Sequence, residues 1–198
     1  FIRVLYAIED ACDWAWRGPE WLRPAVGGLL LGLLLLALPE MYGVGYPVLS
    51  DGVAGAYSIG FMLVLLVGKM LASSLTIGIG GSGGVFAPSL FIGAMLGAAF
   101  GQGADLLAPS IAGPAGTYAL LGMGAVFAGA ARAPITAVVI MFELTGEYSI
   151  ILPLMLAIAL ATGISHLVSR ETIYSLKLSR RGIDLTADPV ADALVDRR

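Results

Sequence analysis

Charge is what this sequence has least of. Only 13% of its 198 residues are Asp, Glu, Lys or Arg, about half the ~25% of an average soluble domain. A chain this poor in charge and 58% hydrophobic is neither disordered nor an ordinary water-soluble domain. The 11 basic and 14 acidic residues leave a net charge of −3, which excludes nucleic-acid binding by bulk charge. Cysteine is nearly missing too: Cys12 has no second cysteine with which to form an intrachain disulfide. Histidine is reduced to His166, which argues against a histidine-based metal cluster. Neither a metal nor a resident cofactor is expected. The chain opens on Phe1 without a basic stretch before an apolar core, so no signal peptide is in view and the sequence reads as a fragment.

What remains is apolar and rich in glycine. Mean hydropathy is +0.90, and the 27 glycines are about twice the usual ~7% share. Both features fit a polytopic membrane protein, where glycine marks close helix packing or helix breaks. Residues 1–16 carry apolar positions at helical spacing. Residues 25–38 form an uncharged stretch of roughly 21 Å as helix, short of a ~30 Å hydrocarbon core. Gly43 to Pro47 reads as a turn. Long apolar stretches follow at 56–79, 85–103 and 150–168, with shorter ones at 118–131 and 135–144. Residues 105–117 read as a connecting loop, 171–181 as a short helix and 184–198 as a polar tail. Arg17 and Arg23 on one linker, and Lys177, Arg180, Arg181, Arg197 and Arg198 near the C-terminus, place both regions on the cytoplasmic side.

Two breaks interrupt the apolar pattern, at Gly78–Gly84 and at Arg132–Pro134. Backbone left unpaired in lipid costs several kcal/mol per group, so such breaks survive only inside protein or beside a water-filled cavity. Helices that start within the membrane present amide N–H groups and suit an anion. Gly78 to Gly83 also spells G-x-G-x-x-G, but the string joins two apolar helices. A dinucleotide fingerprint needs a βαβ unit around it, so that reading is rejected.

The segment Gly83-Gly84-Val85-Phe86-Ala87-Pro88 carries the strongest signal. Its glycines permit a sharp turn and Pro88 favours helix initiation, leaving the N–H groups of Val85 and Phe86 without intrahelical acceptors. Neutral donors of this kind hold an anion moderately, as a conducting site requires. From the residues alone a plain glycine hinge with a packed Phe86 explains the segment equally well. Lys69, mid-stretch, either draws anions into a vestibule or neutralises a buried acid. Glu143 and Arg132 read as structural, and His166 as interfacial. The glycine spacings 28/32, 93/97 and 97/101 fit close helix packing.

GSGGVFAPSLFIGAMLGAAFG resembles the G-x-F-x-P region of the CLC family of voltage-gated chloride channels and chloride/proton antiporters. LLGMGAVFAGAARAPITAVVIMFELTGEYSIILPLMLAIA and ETIYSLKLSRRG follow in that family's order, and GGLLLGLLLLALPEMYGVGY precedes them. The resemblance covers nearly all of residues 1–182 and implies an all-α polytopic fold with broken and re-entrant helices, the C-terminal half of an inverted repeat. It implies chloride transport, not enzyme catalysis, with the anion held by the amides of Val85 and Phe86 and the hydroxyl of Tyr174. Gly83, Gly84 and Pro88 form the supporting loop. It further implies a multi-pass protein of the plasma or inner membrane with a cytoplasmic C-terminus. Its partners would be chloride, the bilayer, the N-terminal half of the same subunit, and a second copy. The copies would meet through helices 135–144 and 150–167, with Ile140, Leu144, Ile151, Leu154 and Ile158 as candidate contacts. Neither G-S-G-x-P nor G-R-E-G-P occurs in the 198 residues, so the gating glutamate is expected in the other half. Residues 183–198 resemble the linker towards CBS domains. Channel or exchanger, and chloride against nitrate or fluoride, stay open. So do two other readings: a broken-helix transporter of a carboxylate-bearing substrate, and a membrane scaffold subunit.

Overall fold

The computed structural model describes residues 1–168 together with Thr172, Ile173 and Leu176. Every regular element among them is helical. In chain order they are α1 (Ile2–Ala15), α2 (Arg23–Ala37), α3 (Tyr46–Val53), α4 (Ile59–Gly78), α5 (Phe86–Leu107), α6 (Ala115–Ala131), α7 (Pro134–Thr145) and α8 (Ile151–Val168). Single 3-10 turns at Glu20–Leu22 and Pro39–Met41 bracket α2. The first turn extends the short apolar stretch to an 18-residue span, Glu20–Ala37. That span, α4, α5 and α8 are long and apolar enough to cross a membrane, whereas α6 and α7 are shorter apolar helices.

The helix starts follow local chemistry. Ser58 caps α4, its Oγ accepting from the Phe61 N–H at 3.4 Å. Proline sits in the first turn of α2, α3 and α7, where its missing N–H costs nothing. One such proline corrects the sequence expectation: Pro47 lies inside α3, so the turn at Gly43–Gly45 opens a helix. Helix α5 runs on through Gly103 to Leu107, and α6 begins at Ala115, leaving a connection shorter than expected.

The buried core centres on α5. Phe91, Ala94, Met95 and Ala98 of α5 are fully buried with Met62 and Leu65 of α4, Ala119 of α6, Met141 of α7 and Leu154 of α8. Over half of the α5 span is buried (56%), against 6% for Glu20–Ala37 and 11% for α8. Helices α5 and α6 touch backbone to backbone. A Cβ built on Gly93 would lie 2.3 Å from the Gly122 oxygen, and one on Gly97 would lie 2.1 Å from the Tyr118 oxygen. Only glycine permits that approach, the close packing expected of small-residue helix faces. Gly28 and Gly32 face open space instead; their spacing marks a small-residue face without identifying what packs on it.

Candidate functional site

The break between α4 and α5 divides into two parts. Helix α4 ends in a Schellman motif: the Gly81 N–H donates to the Thr76 oxygen at 2.9 Å and the Gly80 N–H to the Ile77 oxygen at 3.1 Å. Gly80 has φ +85°, a left-handed conformation costly to other residues. Arg23 donates from its guanidinium to both the Gly78 oxygen and Asp13, so a cation sits on the negative end of α4. Arg23 also joins α1, α2 and α4 at the point where the chain breaks. Cys12 packs beside Gly78, and burial pushes its thiol above the usual range, with Arg23 opposing that shift.

The second part, residues 82–85, leads into α5. The first helical bond there runs from the Ser89 N–H to the Val85 oxygen at 3.1 Å. The N–H groups of Val85, Phe86 and Ala87 therefore precede any intrahelical acceptor. Pro88, at the fourth position, has no N–H to satisfy, and the Ser89 hydroxyl donates to the Phe86 oxygen at 2.7 Å. This is a helix start with clustered donors and no side-chain cap.

Gly83, Gly84, Ala87 and Pro88 line a cavity of about 450 Å³, together with Leu31, Leu35, Tyr42 and Val44 and, from α4, Lys69, Ala72, Ser73 and Thr76. The Thr76 hydroxyl donates to the Ala72 oxygen at 2.7 Å and that of Ser73 to the Lys69 oxygen. Those hydroxyl protons are committed to their own helix. Lys69 is 4% exposed. Its ammonium donates to the oxygens of Gly43 at 2.7 Å and Met41 at 3.2 Å and lies 5.0 Å from the centre of the Phe91 ring. The carbonyls and the ring face carry the negative ends of dipoles, so the cation is met without a carboxylate. The sequence reading missed this turn as a partner of Lys69; the pair of glycines at 43 and 45 was its trace.

The predicted site residues divide between neighbouring surfaces. Gly83, Gly84 and Pro88 lie on the cavity wall. Val85 packs on a cluster of Leu5, Tyr6 and Ile173. The Phe86 ring meets Phe127 of α6 edge to face, with centroids 5.0 Å apart. Tyr174 lies outside the described residues. Its neighbour Ile173 is held twice: its N–H donates to the Ala130 oxygen at 3.2 Å, and its oxygen accepts from the Tyr6 hydroxyl at 2.7 Å. Glu143 and His166 are exposed, and Arg132 ends α6 at φ 53°. Among the described residues, no group of three or more His, Cys, Asp or Glu side chains could hold a metal ion.

Comparison with known proteins places the chain in a family. The family model described as voltage gated chloride channel matches residues 1–166. The H(+)/Cl(−) exchange transporter ClcA of Vibrio campbellii is 41% identical over 153 residues, covering 77% of this chain and 33% of that protein. The protein of the same name from Citrobacter koseri is 38% identical over 156 residues, covering 79% and 33%. The chain thus spans about a third of the length of these relatives. Among solved structures, a slow cyanobacterial Cl−/H+ antiporter superposes with a TM-score of 0.71 at 28% identity, covering 91% of this chain and 42% of that one. The all-helical architecture, the apolar spans and the match across residues 1–166 lead to one conclusion: this chain is an integral membrane protein belonging to the voltage gated chloride channel family.

Proposed function

We propose that this chain supplies the C-terminal half of a chloride pathway, with the anion held at the start of α5. The observation that carries the reading is the uncapped N-terminus of α5, where the Val85 and Phe86 N–H groups precede any intrahelical acceptor. Neutral N–H donors replace part of the hydration shell of chloride without binding it too tightly for release. The Tyr174 hydroxyl adds a third neutral donor. Gly83 and Gly84 keep the approach free of side chains, and Pro88 stands in the first turn of the helix. Because the family members named above are exchange transporters, proton-coupled exchange is favoured over passive conduction. The gating acid is assigned to the other half of the subunit. Two copies associate through α7 and α8, and the C-terminal region, with residues 183–198 as a linker, lies on the cytoplasmic side.

Liposomes loaded with chloride and carrying the intact protein test this. Chloride efflux is expected, and Tyr174→Phe is expected to change anion occupancy or proton coupling. Uptake of an organic acid independent of chloride would overturn the reading.

A further inference from the structure

We infer that Phe127 is a positioning residue: by holding Phe86 it fixes the direction in which the first amides of α5 present themselves to the anion. The inference rests on the anion site proposed above. Phe86 is the first residue of α5, so its ring and its N–H share one Cα, and anchoring the ring restrains the position of that Cα and of the amide beside it. The glycine contact that locks α5 to α6 begins only at Gly93. The seven residues Phe86–Ile92 carry the helix about 10 Å beyond that lock, with Leu90 and Phe91 packed in the core.

At the far end of this extension the start of α5 is braced from two sides. Val85 rests on the α1 cluster of Leu5 and Tyr6. Phe86 rests on Phe127, which is 5% exposed in α6. The rings meet at 80° with centroids 5.0 Å apart, an edge-to-face contact that fixes orientation as well as distance. A site made of neutral donors depends on preorganisation for affinity. A loosened Phe86 lets the donors turn away from a shared focus, and chloride must then reorder them on binding.

The test uses the purified intact protein. Chloride affinity is measured by calorimetry, thermal midpoint by scanning, and half-saturating chloride and maximal flux in liposomes. Phe127→Leu removes the ring edge while keeping an apolar side chain; Phe127→Met serves if the leucine variant does not fold. The expected result is a Kd raised about threefold to tenfold, the span that an edge-to-face pair commands. Half-saturating chloride rises by more than maximal flux falls. In a Phe86→Leu background the same substitution has no further effect on Kd. A variant that melts lower but binds chloride like wild type makes Phe127 core packing alone and overturns the inference, leaving the anion site standing. An equal effect in both backgrounds also overturns it, because Phe127 then does not act through Phe86. A wild-type protein without saturable chloride binding removes the anion site, and this inference with it.

Discussion

Lys69 shows how a charge is accommodated in an apolar helix. Its ammonium is buried on two carbonyl oxygens and an aromatic face, so it ties the Met41–Gly43 turn to the middle of α4. Lys69→Met leaves those carbonyls without their charged donor. The expected cost is ~2 kcal/mol, the scale of a charge-assisted hydrogen bond, with faster amide exchange across residues 41–46. Unchanged exchange there would show that the turn is held by other contacts. The glycines separate as sharply. Gly97→Ala drives a methyl group against the Tyr118 oxygen, where backbone cannot yield, and is expected to cost ~3 kcal/mol or more. Gly28→Ala meets open space and is expected to leave the thermal midpoint in detergent unchanged. Both positions carry the same spacing in sequence. Periodicity identifies the small-residue face of a helix but not what packs on it.

Helix α4 and its ending explain why the glycine run from 78 to 84 was legible as a break yet undivided. Gly80 and Gly81 complete the Schellman motif, while Gly83 and Gly84 line the cavity. Gly80→Ala forces a side chain into φ +85° and is expected to cost ~1–2 kcal/mol. Gly84→Ala meets nothing within 4 Å; its thermal midpoint is expected to hold while chloride affinity falls. Thermal scans beside calorimetry distinguish the two, and the reverse pattern would contradict this division. The breaks were readable because glycine and proline punctuate a chain whatever surrounds them. Helix α3 was not, because Pro47 serves a turn and a helix start equally well. The apolar pattern ends α5 four residues early, at Gly103, because a glycine in a helix looks like an end until packing is known. The free amides at Val85 and Phe86 followed from the proline nearby, but their braces did not. Phe127 is one of two aromatics in α6, with Tyr118, and its contact with Phe86 spans 41 positions.

Across the whole molecule, the outer surface decides what the chain joins. Leu154 and Ile158, expected at the contact between copies, are 1% and 2% exposed and belong to the core of this chain beside Gly124 and Met141. The open ridge of α8 is instead Leu152, Leu156 and Leu160, with Ile135 and Val139 exposed on α7. The proposed pairing of copies therefore predicts that Leu156→Trp shifts the intact protein from dimer towards monomer in light scattering after detergent extraction; an unaltered dimer would place the contact elsewhere. The apolar helices and their order were written in composition and periodicity, whereas which face each one hides depended on contacts far apart in sequence. The start of α5 is tested most directly by anomalous scattering from crystals of the intact protein soaked in bromide. An anion site at the start of α5 gives a bromide peak within hydrogen-bond reach of the Val85 and Phe86 nitrogens, lost when chloride competes. A peak confined to the Lys69 side of the cavity, or none at the start of α5, would contradict it.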